Sequence, residues 1–167
     1  MPQPRWLNDA EMRAWRGTLR MTWLLEAAIS RDLARDSHLS HADYYVLVQL
    51  SESPERRMRM SDLAAGILWS KSRLSHQIDR MEARGLVRRQ ECPSDARGTF
   101  AVLTPTGMRA IRAAAPHHVE SIRRNFLGHL TPGQIAVLGD VTEVVVNALA
   151  ESLRPAAPAV DVLIHHR

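Results

Sequence analysis

The sequence predicts a mainly helical (α+β) fold that contains a single β-hairpin. Apolar residues recur at helical spacing in long segments towards both ends of the chain. Between these segments, two short helical patterns precede two strand-like runs that flank a turn. With 167 residues, of which 45% are hydrophobic, the chain has the size and the apolar content of about one folded domain.

A long first helix is predicted over residues 9–35, with Asp9 as its N-cap. Asp32 and Arg35 are expected on its solvent-facing side. The apolar positions of the segment recur close to every third or fourth residue: Met12, Trp15, Leu19, Trp23, Ala27 and Leu33.

A second helix is predicted to begin at a capping box formed by Ser40 and Asp43, with Asp in place of the usual Glu, and to end near Leu50. The polar, proline-containing run SESPERRMR, residues 51–59, is expected to be a loop. The second helix is expected to turn four side chains inward: Tyr44, Leu47, Val48 and Leu50.

Two helices joined by a short turn are predicted in the middle of the chain. The first covers residues 60–67, with Ser61 as its N-cap, and the second covers residues 71–84 after a Ser70 cap. Gly85 is expected to end the second helix as its C′ residue. An apolar stripe on the second helix is expected to pack on the first: Leu74, Ile78 and Met81.

A hairpin and two more helices complete the predicted fold. The strands are expected at residues 86–91 and 100–103, around a turn that contains Pro93, Ser94, Asp95 and Gly98. The helices are expected at about residues 106–127 and 131–153, the latter capped by Thr131 with Pro132 at its first position. The prediction is therefore six or seven helices plus one hairpin. The long terminal helices are too apolar to stand alone and are expected to pack on another copy of the chain.

Positive charge is concentrated in the central part of the sequence. Between Arg56 and Arg97 there are ten Lys/Arg and five Asp/Glu residues, a net charge of +5, whereas the whole chain carries +4. Clustered positive charge is typical of proteins that bind a polyanion, although a solvated basic face has the same composition.

The polar face of the helix at 71–84 predicts contact with duplex DNA. Arginine suits guanine edges, glutamine suits adenine, and free N–H groups at the helix N-terminus suit a phosphate. An ordinary amphipathic helix is the alternative, but the short helix before it and the hairpin after it favour a winged helix-turn-helix. The residues expected to contact DNA are Ser70, Lys71, Ser72, Arg73, Ser75, His76, Gln77 and Arg80.

The hairpin is the expected wing. Arg97 lies beside Gly98 at its tip, where an arginine is placed to enter a minor groove, and Asp95 is expected to orient it. A simple turn capped by Asp95 is the alternative. Arg88 and Arg89 at the base of the wing are expected to contact phosphates without reading sequence.

Five collinear segments resemble the MarR family of bacterial transcriptional regulators: MSDLA at 60–64, SKS at 70–72, DRMEARGLVRR at 79–89, DARG at 95–98 and LTPTG at 103–107. The resemblance implies a domain at residues 9–153, a winged helix-turn-helix at about 60–103, dimerisation helices at about 9–35 and 106–153, and a tail at 154–167. It further implies a homodimer that binds a pseudo-palindromic operator, often as a repressor released by a small ligand. Residues 71–77 would enter the major groove and Arg97 the minor groove, supported by Asp95. Trp69, in the turn, departs from the small aliphatic residue that is usual there.

In similar proteins an effector pocket lies between the dimerisation helices and the DNA-binding unit. A small aromatic or anionic effector would bind there through Arg16, Arg20, Trp23, Tyr44 and Tyr45, although packing in the core or between subunits also explains these aromatic residues. An alternative function is therefore a small-molecule-binding or protein-interaction module on the same fold, without specific DNA readout.

Other chemistry finds little support in the sequence. Cys92 allows no intramolecular disulfide, and it is either sensitive to oxidation or incidental. His117 and His118 are adjacent, so they cannot chelate as an i, i+4 pair, and His38 and His41 complete no ligand set with them; no metal or cofactor is expected. No motif of an enzyme is present. No apolar run approaches a membrane span and no secretory signal begins the chain, so a cytoplasmic protein is expected.

Overall fold

The computed structural model describes residues 4–92 and 95–152, and it describes the side chains of 4–92 and 98–152. The predicted mainly helical fold with a small sheet is confirmed. A single 3₁₀ turn, Leu127–His129, separates the last two helices. The helices and strands are α1 (Asp9–Ser37), α2 (His41–Glu52), β1 (Arg57–Arg59), α3 (Met60–Gly66), α4 (Lys71–Ala83), β2 (Val87–Cys92), β3 (Asp95–Leu103), α5 (Pro105–Asn125) and α6 (Pro132–Ser152).

Two of the predicted helix starts are wrong by one or two residues. The N-cap of α1 is Asn8, not Asp9, because Asn8 and Glu11 bond reciprocally: each side chain accepts from the other residue's backbone N–H, at 2.9 and 2.8 Å. Ser61 lies inside α3 and donates to Asp62 Oδ1, while the N-cap position belongs to Arg59, which makes no capping bond through its side chain. The predicted caps Ser40, Ser70 and Thr131 are confirmed.

The sheet has three strands, so the expectation of a hairpin alone is wrong. The last three residues of the predicted loop at 51–59 form β1, which pairs antiparallel with β3 and gives the order β1-β3-β2. Arg57 lies opposite Val102 and Arg59 lies opposite Phe100. A strand of three residues is too short to show alternation, and only its pairing with β3 reveals it. This pairing ties the start of α3 to the wing.

The core joins α2, α3 and α4 beneath the wing. The predicted stripe of α4 is fully buried, and it shares one apolar cluster with Leu63 and Ala64 of α3. The inward side chains expected on α2 are also buried. Gly85 ends α4 with φ of 67°, as expected for a C′ glycine. Gly107 admits no side chain, because a Cβ there would lie 2.1 Å from the Leu86 carbonyl oxygen, so α5 starts directly against the base of the wing.

Asp32 is buried, and the expectation that it faces solvent is wrong. Its carboxylate accepts hydrogen bonds from Ser121 Oγ at 2.8 Å, Arg124 Nη2 at 2.6 Å and Asn125 Nδ2 at 2.8 Å, all on α5. The Ser121 bond is the main cause that holds the pKa of Asp32 well below its usual range; burial opposes it, and the bonds from Arg124 and Asn125 assist it. The carboxylate therefore joins α1 to α5 through hydrogen bonds between residues that lie 89 to 93 positions apart in the chain.

Much of the apolar surface of α1 and α6 is left uncovered by residues 4–92 and 95–152, which the structure describes. Trp15 and Trp23 of α1 are exposed, and so are seven large aliphatic side chains of α6: Ile135, Val137, Val141, Val144, Val145, Val146 and Leu149. By length and composition α6 also qualifies as a membrane span, with a mean hydropathy of 1.3, contrary to the expectation from the sequence. Asp140 and Glu143 lie near the middle of α6, and an aspartate at the centre of a bilayer costs about 2.5–3.5 kcal/mol. A protein partner is the better cover for this surface.

Replacing Asp32 by Ala is expected to lower the free energy of unfolding by about 2–3 kcal/mol, because three donors on α5 lose their charged acceptor. Since folding lowers the pKa of Asp32, its contribution is complete above about pH 4, the ordinary pKa of Asp, and is lost as the pH falls below that value towards the folded-state pKa. Urea denaturation at pH 7 and at pH 3 measures both effects.

Asp36→Ala is the matched control, since Asp36 lies on the same helix, carries the same charge and is exposed beside Arg35. It is expected to change stability little. Equal losses in the two variants would contradict the structural role of the buried carboxylate.

Candidate nucleic-acid interface

The outer face of α4 presents a row of polar and basic side chains. Ser70 caps the helix by accepting the Arg73 N–H at 3.2 Å, and its hydroxyl lies 3.2 Å from that of Ser72. This cap leaves the first turn of α4 at the surface rather than against the core. Five of the eight residues expected to contact DNA are exposed on α4: Lys71, Ser72, Arg73, His76 and Arg80.

Gln77 does not belong to this face, so the expectation that it reads bases is wrong. Its side chain is 2% exposed, and its Nε2 donates to Asp43 Oδ1 at 2.6 Å. Its Oε1 accepts a hydrogen bond from the guanidinium of Arg80, a residue that is otherwise exposed. The physical reason is helical spacing: Gln77 follows Leu74 by three residues and so shares its buried side of α4.

Asp43 does more than cap α2. It accepts from the Ser40 N–H at 2.8 Å, as the predicted capping box requires, and also from Arg84 Nη1 at 2.7 Å. Arg84 Nη2 donates to the His38 carbonyl oxygen at 2.7 Å. Together with Gln77, these bonds attach the middle and the end of α4 to the start of α2. No local pattern predicts this contact, because its partners lie 34 and 41 residues apart in the chain.

Arg89, which the sequence predicts as a phosphate contact, is engaged within the protein. Its Nη1 donates to Asp79 Oδ1 at 2.6 Å and to Glu82 Oε2 at 3.0 Å. Its Nη2 lies 3.2 Å from both the hydroxyl and the carbonyl oxygen of Ser75, which is half-buried as a result. Arg89 therefore ties β2 to α4, whereas Arg88, next to it in β2, is exposed as a phosphate contact requires.

The wing and α4 enclose a polar cleft. The backbones of Asp95 and Arg97 belong to β3, but their side chains, and the expected turn residues Pro93 and Ser94, lie outside what the structure describes. At the base of the wing, the Arg57 and Arg59 guanidinium groups lie 4.9 and 5.5 Å from the centre of the Phe100 ring. A cavity of about 370 Å³ opens between the wing and α4, lined by Arg59, Ser61, Lys71, Arg89, Gly98 and Thr99 among others.

Cys92 is buried at the end of β2, where a register irregularity follows Glu91. Arg59 Nη2, which comes from β1, lies 3.2 Å from its sulfur. A thiol enclosed in this way packs inside the wing rather than facing a nucleic acid.

The five residues expected to bind an effector lie on α1 and α2 in different surroundings. Tyr44 is buried against His118, with ring centres 4.2 Å apart, and burial raises the pKa of its hydroxyl to about 12. Tyr45 instead stacks on His41 at 4.3 Å. Trp23 is 66% exposed and Arg16 is also exposed. Only Arg20 lines a groove, of about 500 Å³, between α1 and the end of α5, with Gly17, Met21, Leu24, Leu25, Ala28, Asn125 and Phe126.

Comparison with known proteins fits this geometry. A model described as the MarR family matches residues 39–98, which span α2, the helix-turn-helix and most of the wing. The transcriptional regulator HosA of Escherichia coli O111:H- is 30% identical over 110 residues, which cover 66% of this chain and 79% of HosA. The chain belongs to the MarR family of transcriptional regulators.

Two MarR-family structures from Streptomyces coelicolor share its fold over most of their length. Sco3205, solved in complex with DNA, is 43% identical with a TM-score of 0.82, covering 89% of this chain and 93% of Sco3205. AbsC is 49% identical with a TM-score of 0.80, covering 87% of this chain and 98% of AbsC. The family consists of transcription regulators rather than enzymes.

Gln77→Ala is expected to lower stability by about 1–3 kcal/mol, because Asp43 loses a buried donor, and to leave base preference unchanged. His76→Ala is the matched control, since His76 is its exposed neighbour on α4. It should leave the melting temperature unchanged and weaken DNA binding. Thermal unfolding and DNA selection on both variants measure these effects, and altered base preference with normal stability in Gln77→Ala would restore the original expectation.

Proposed function

We propose that this MarR-family protein is a sequence-specific DNA-binding regulator that acts in the cytoplasm. It would bind a pseudo-palindromic operator as a homodimer, through the domain at residues 9–153. The observation that carries the proposal is the division of α4 into a fully buried stripe and an exposed basic face beside the wing. An α-helix fits the major groove, and the exposed Arg73 and His76 have donors for base edges. Repression is the expected sign of regulation.

Contacts with the DNA backbone would surround this helix. Lys71 and Ser72 lie on the first turn of α4, where free N–H groups and the helix dipole favour a phosphate. Arg88 is exposed on the wing strand β2. Arg97, in β3, is proposed to enter the minor groove with Asp95 as its partner, while Gln77, Ser75 and Arg89 take structural roles. These assignments separate base contacts from contacts that provide affinity alone.

The exposed apolar surface supports a homodimer. The apolar stripe of α6 and the tryptophans of α1 lie at the surface of the single chain, where their hydration is unfavourable. A second copy buries both helices at once in a symmetric interface. The same interface sets the distance between two α4 helices, which must match half-sites about 34 Å apart.

Release of the protein from its operator by a small ligand stays a prediction. The groove beside Arg20 is mostly apolar with one cationic edge, which suits an aromatic or aliphatic carboxylate. It lies against α1 and α5, so a ligand there would act on the helices that the dimer uses.

Arg97→Ala is expected to weaken operator binding by about 1–3 kcal/mol, because a minor-groove contact is lost. The measurement is a mobility shift at two salt concentrations, with the DNA upstream of the protein's own gene against random DNA. Arg112→Ala is the matched control: Arg112 is exposed on α5, away from the wing and α4, and its loss should change little.

The same experiment separates the two candidate functions. A shift specific to the upstream DNA at moderate salt supports the regulator. No shift with any DNA, together with stabilisation by a small molecule in a thermal-shift screen, supports the ligand-binding module. Equal affinity for all sequences would identify a non-specific DNA binder instead.

Val145→Glu is expected to dissociate the dimer, because it places a charge within the exposed apolar stripe of α6. Asn147→Glu is the matched control, since Asn147 lies about 200° around the helix from Val145. Sedimentation velocity at micromolar concentration should show a dimer for the wild type and the control, and a monomer for Val145→Glu. A monomeric wild type would refute the dimer.

A further inference from the structure

Trp69 is held firmly in the turn between α3 and α4. Its backbone N–H donates to the Ala64 carbonyl oxygen at 2.8 Å, after Leu68 takes a left-handed conformation with φ of 55°. Its half-buried side chain packs against the apolar core. The indole ring is therefore a fixed surface at the start of α4, where the family resemblance led us to expect a small aliphatic residue.

Arg73 stacks on this ring. Its guanidinium carbon lies 4.2 Å from the centre of the Trp69 ring, while its backbone N–H is bonded to the Ser70 hydroxyl. Arg73 itself is exposed on the outer face of α4. The stack on Trp69 favours one orientation of the Arg73 side chain in the protein without DNA.

Stacking leaves the N–H donors of the Arg73 guanidinium free to bind another group. The planar face of the group lies on the indole, but the N–H donors point outward from its edge. That edge binds the O6 and N7 atoms of guanine in the major groove. Fixing the side chain in advance also reduces the entropy lost on binding.

We propose that Trp69 is a positioning residue for DNA recognition: it holds Arg73 in the orientation that contacts a guanine of the operator. The inference rests on the proposed function, since it requires that α4 bind DNA. The opposite role, in which the stack keeps Arg73 away from DNA, predicts tighter binding when the ring is removed.

The test is a double-mutant cycle with Trp69→Leu and Arg73→Ala. The probe is a duplex that the wild-type protein selects from a random library, and the readouts are affinity and base preference at each position. Trp69→Leu is expected to weaken binding about two- to fivefold and to relax the same G·C position as Arg73→Ala. In the Arg73→Ala background it should have no further effect.

Three controls separate positioning from general damage. Trp69→Phe keeps an aromatic surface and should retain most of the affinity, and melting temperatures report whether each variant folds. A parallel cycle of Trp69→Leu with His76→Ala, a residue outside the stack, should be additive. If Trp69→Leu does not fold, Trp69→Met replaces it, because the unbranched side chain fills irregular space.

Additive effects of the Trp69 and Arg73 changes, or tighter binding by Trp69→Leu, would overturn the inference while the wild type still binds DNA. A wild-type protein that selects no DNA would overturn the proposed function and, with it, the inference. Whether the wild-type protein selects a DNA sequence therefore distinguishes the two failures.

Discussion

The buried carboxylate of Asp43 is the interaction on which the rest of the structure depends. A carboxylate that is 2% exposed costs several kcal/mol unless donors surround it, and here they come from three places: the Ser40 backbone, Gln77 and Arg84. Two of the three belong to α4 or its C-cap. Satisfying one charge at the start of α2 therefore fixes both the rotation and the position of α4, and the rotation decides which side chains reach the surface.

The wing is attached to the same helix by a second set of charges. Arg89 of β2 binds Asp79 and Glu82 on α4, and β1 extends the wing back to the start of α3. Gly107 allows α5 to begin in direct contact with the wing base. The helix α4, the wing and the long α5 are therefore in contact, and α5 reaches α1 through Asp32. The contacts between the long helices therefore continue to the exposed face of α4, the proposed DNA-binding surface.

The buried polar residues show where reasoning from the sequence fails. Gln77 has the donor and acceptor groups of a base contact, although its spacing from Leu74 places it towards the core. Asp32 had a local signal as well, since it follows the buried Ile29 by three residues, but nothing nearby identified its acceptor role towards α5. In both cases polarity was read as exposure, whereas a polar side chain with enough partners is stable inside a protein.

The sequence by itself determined the order of the helices, most of their caps, the apolar stripe of α4, the glycine that ends it and the family to which the chain belongs. Those features depend on residues within about one or two helical turns of each other, so their pattern is visible in the chain. Only the tertiary structure decided the third strand, the hydrogen-bond partners of Gln77 and Arg89, and the stack of Arg73 on Trp69. The first two depend on partners brought together from distant segments, and the stack depends on the left-handed turn at Leu68, which orients the ring. Such contacts are set by packing and by the need to satisfy buried charge, and no local pattern encodes them.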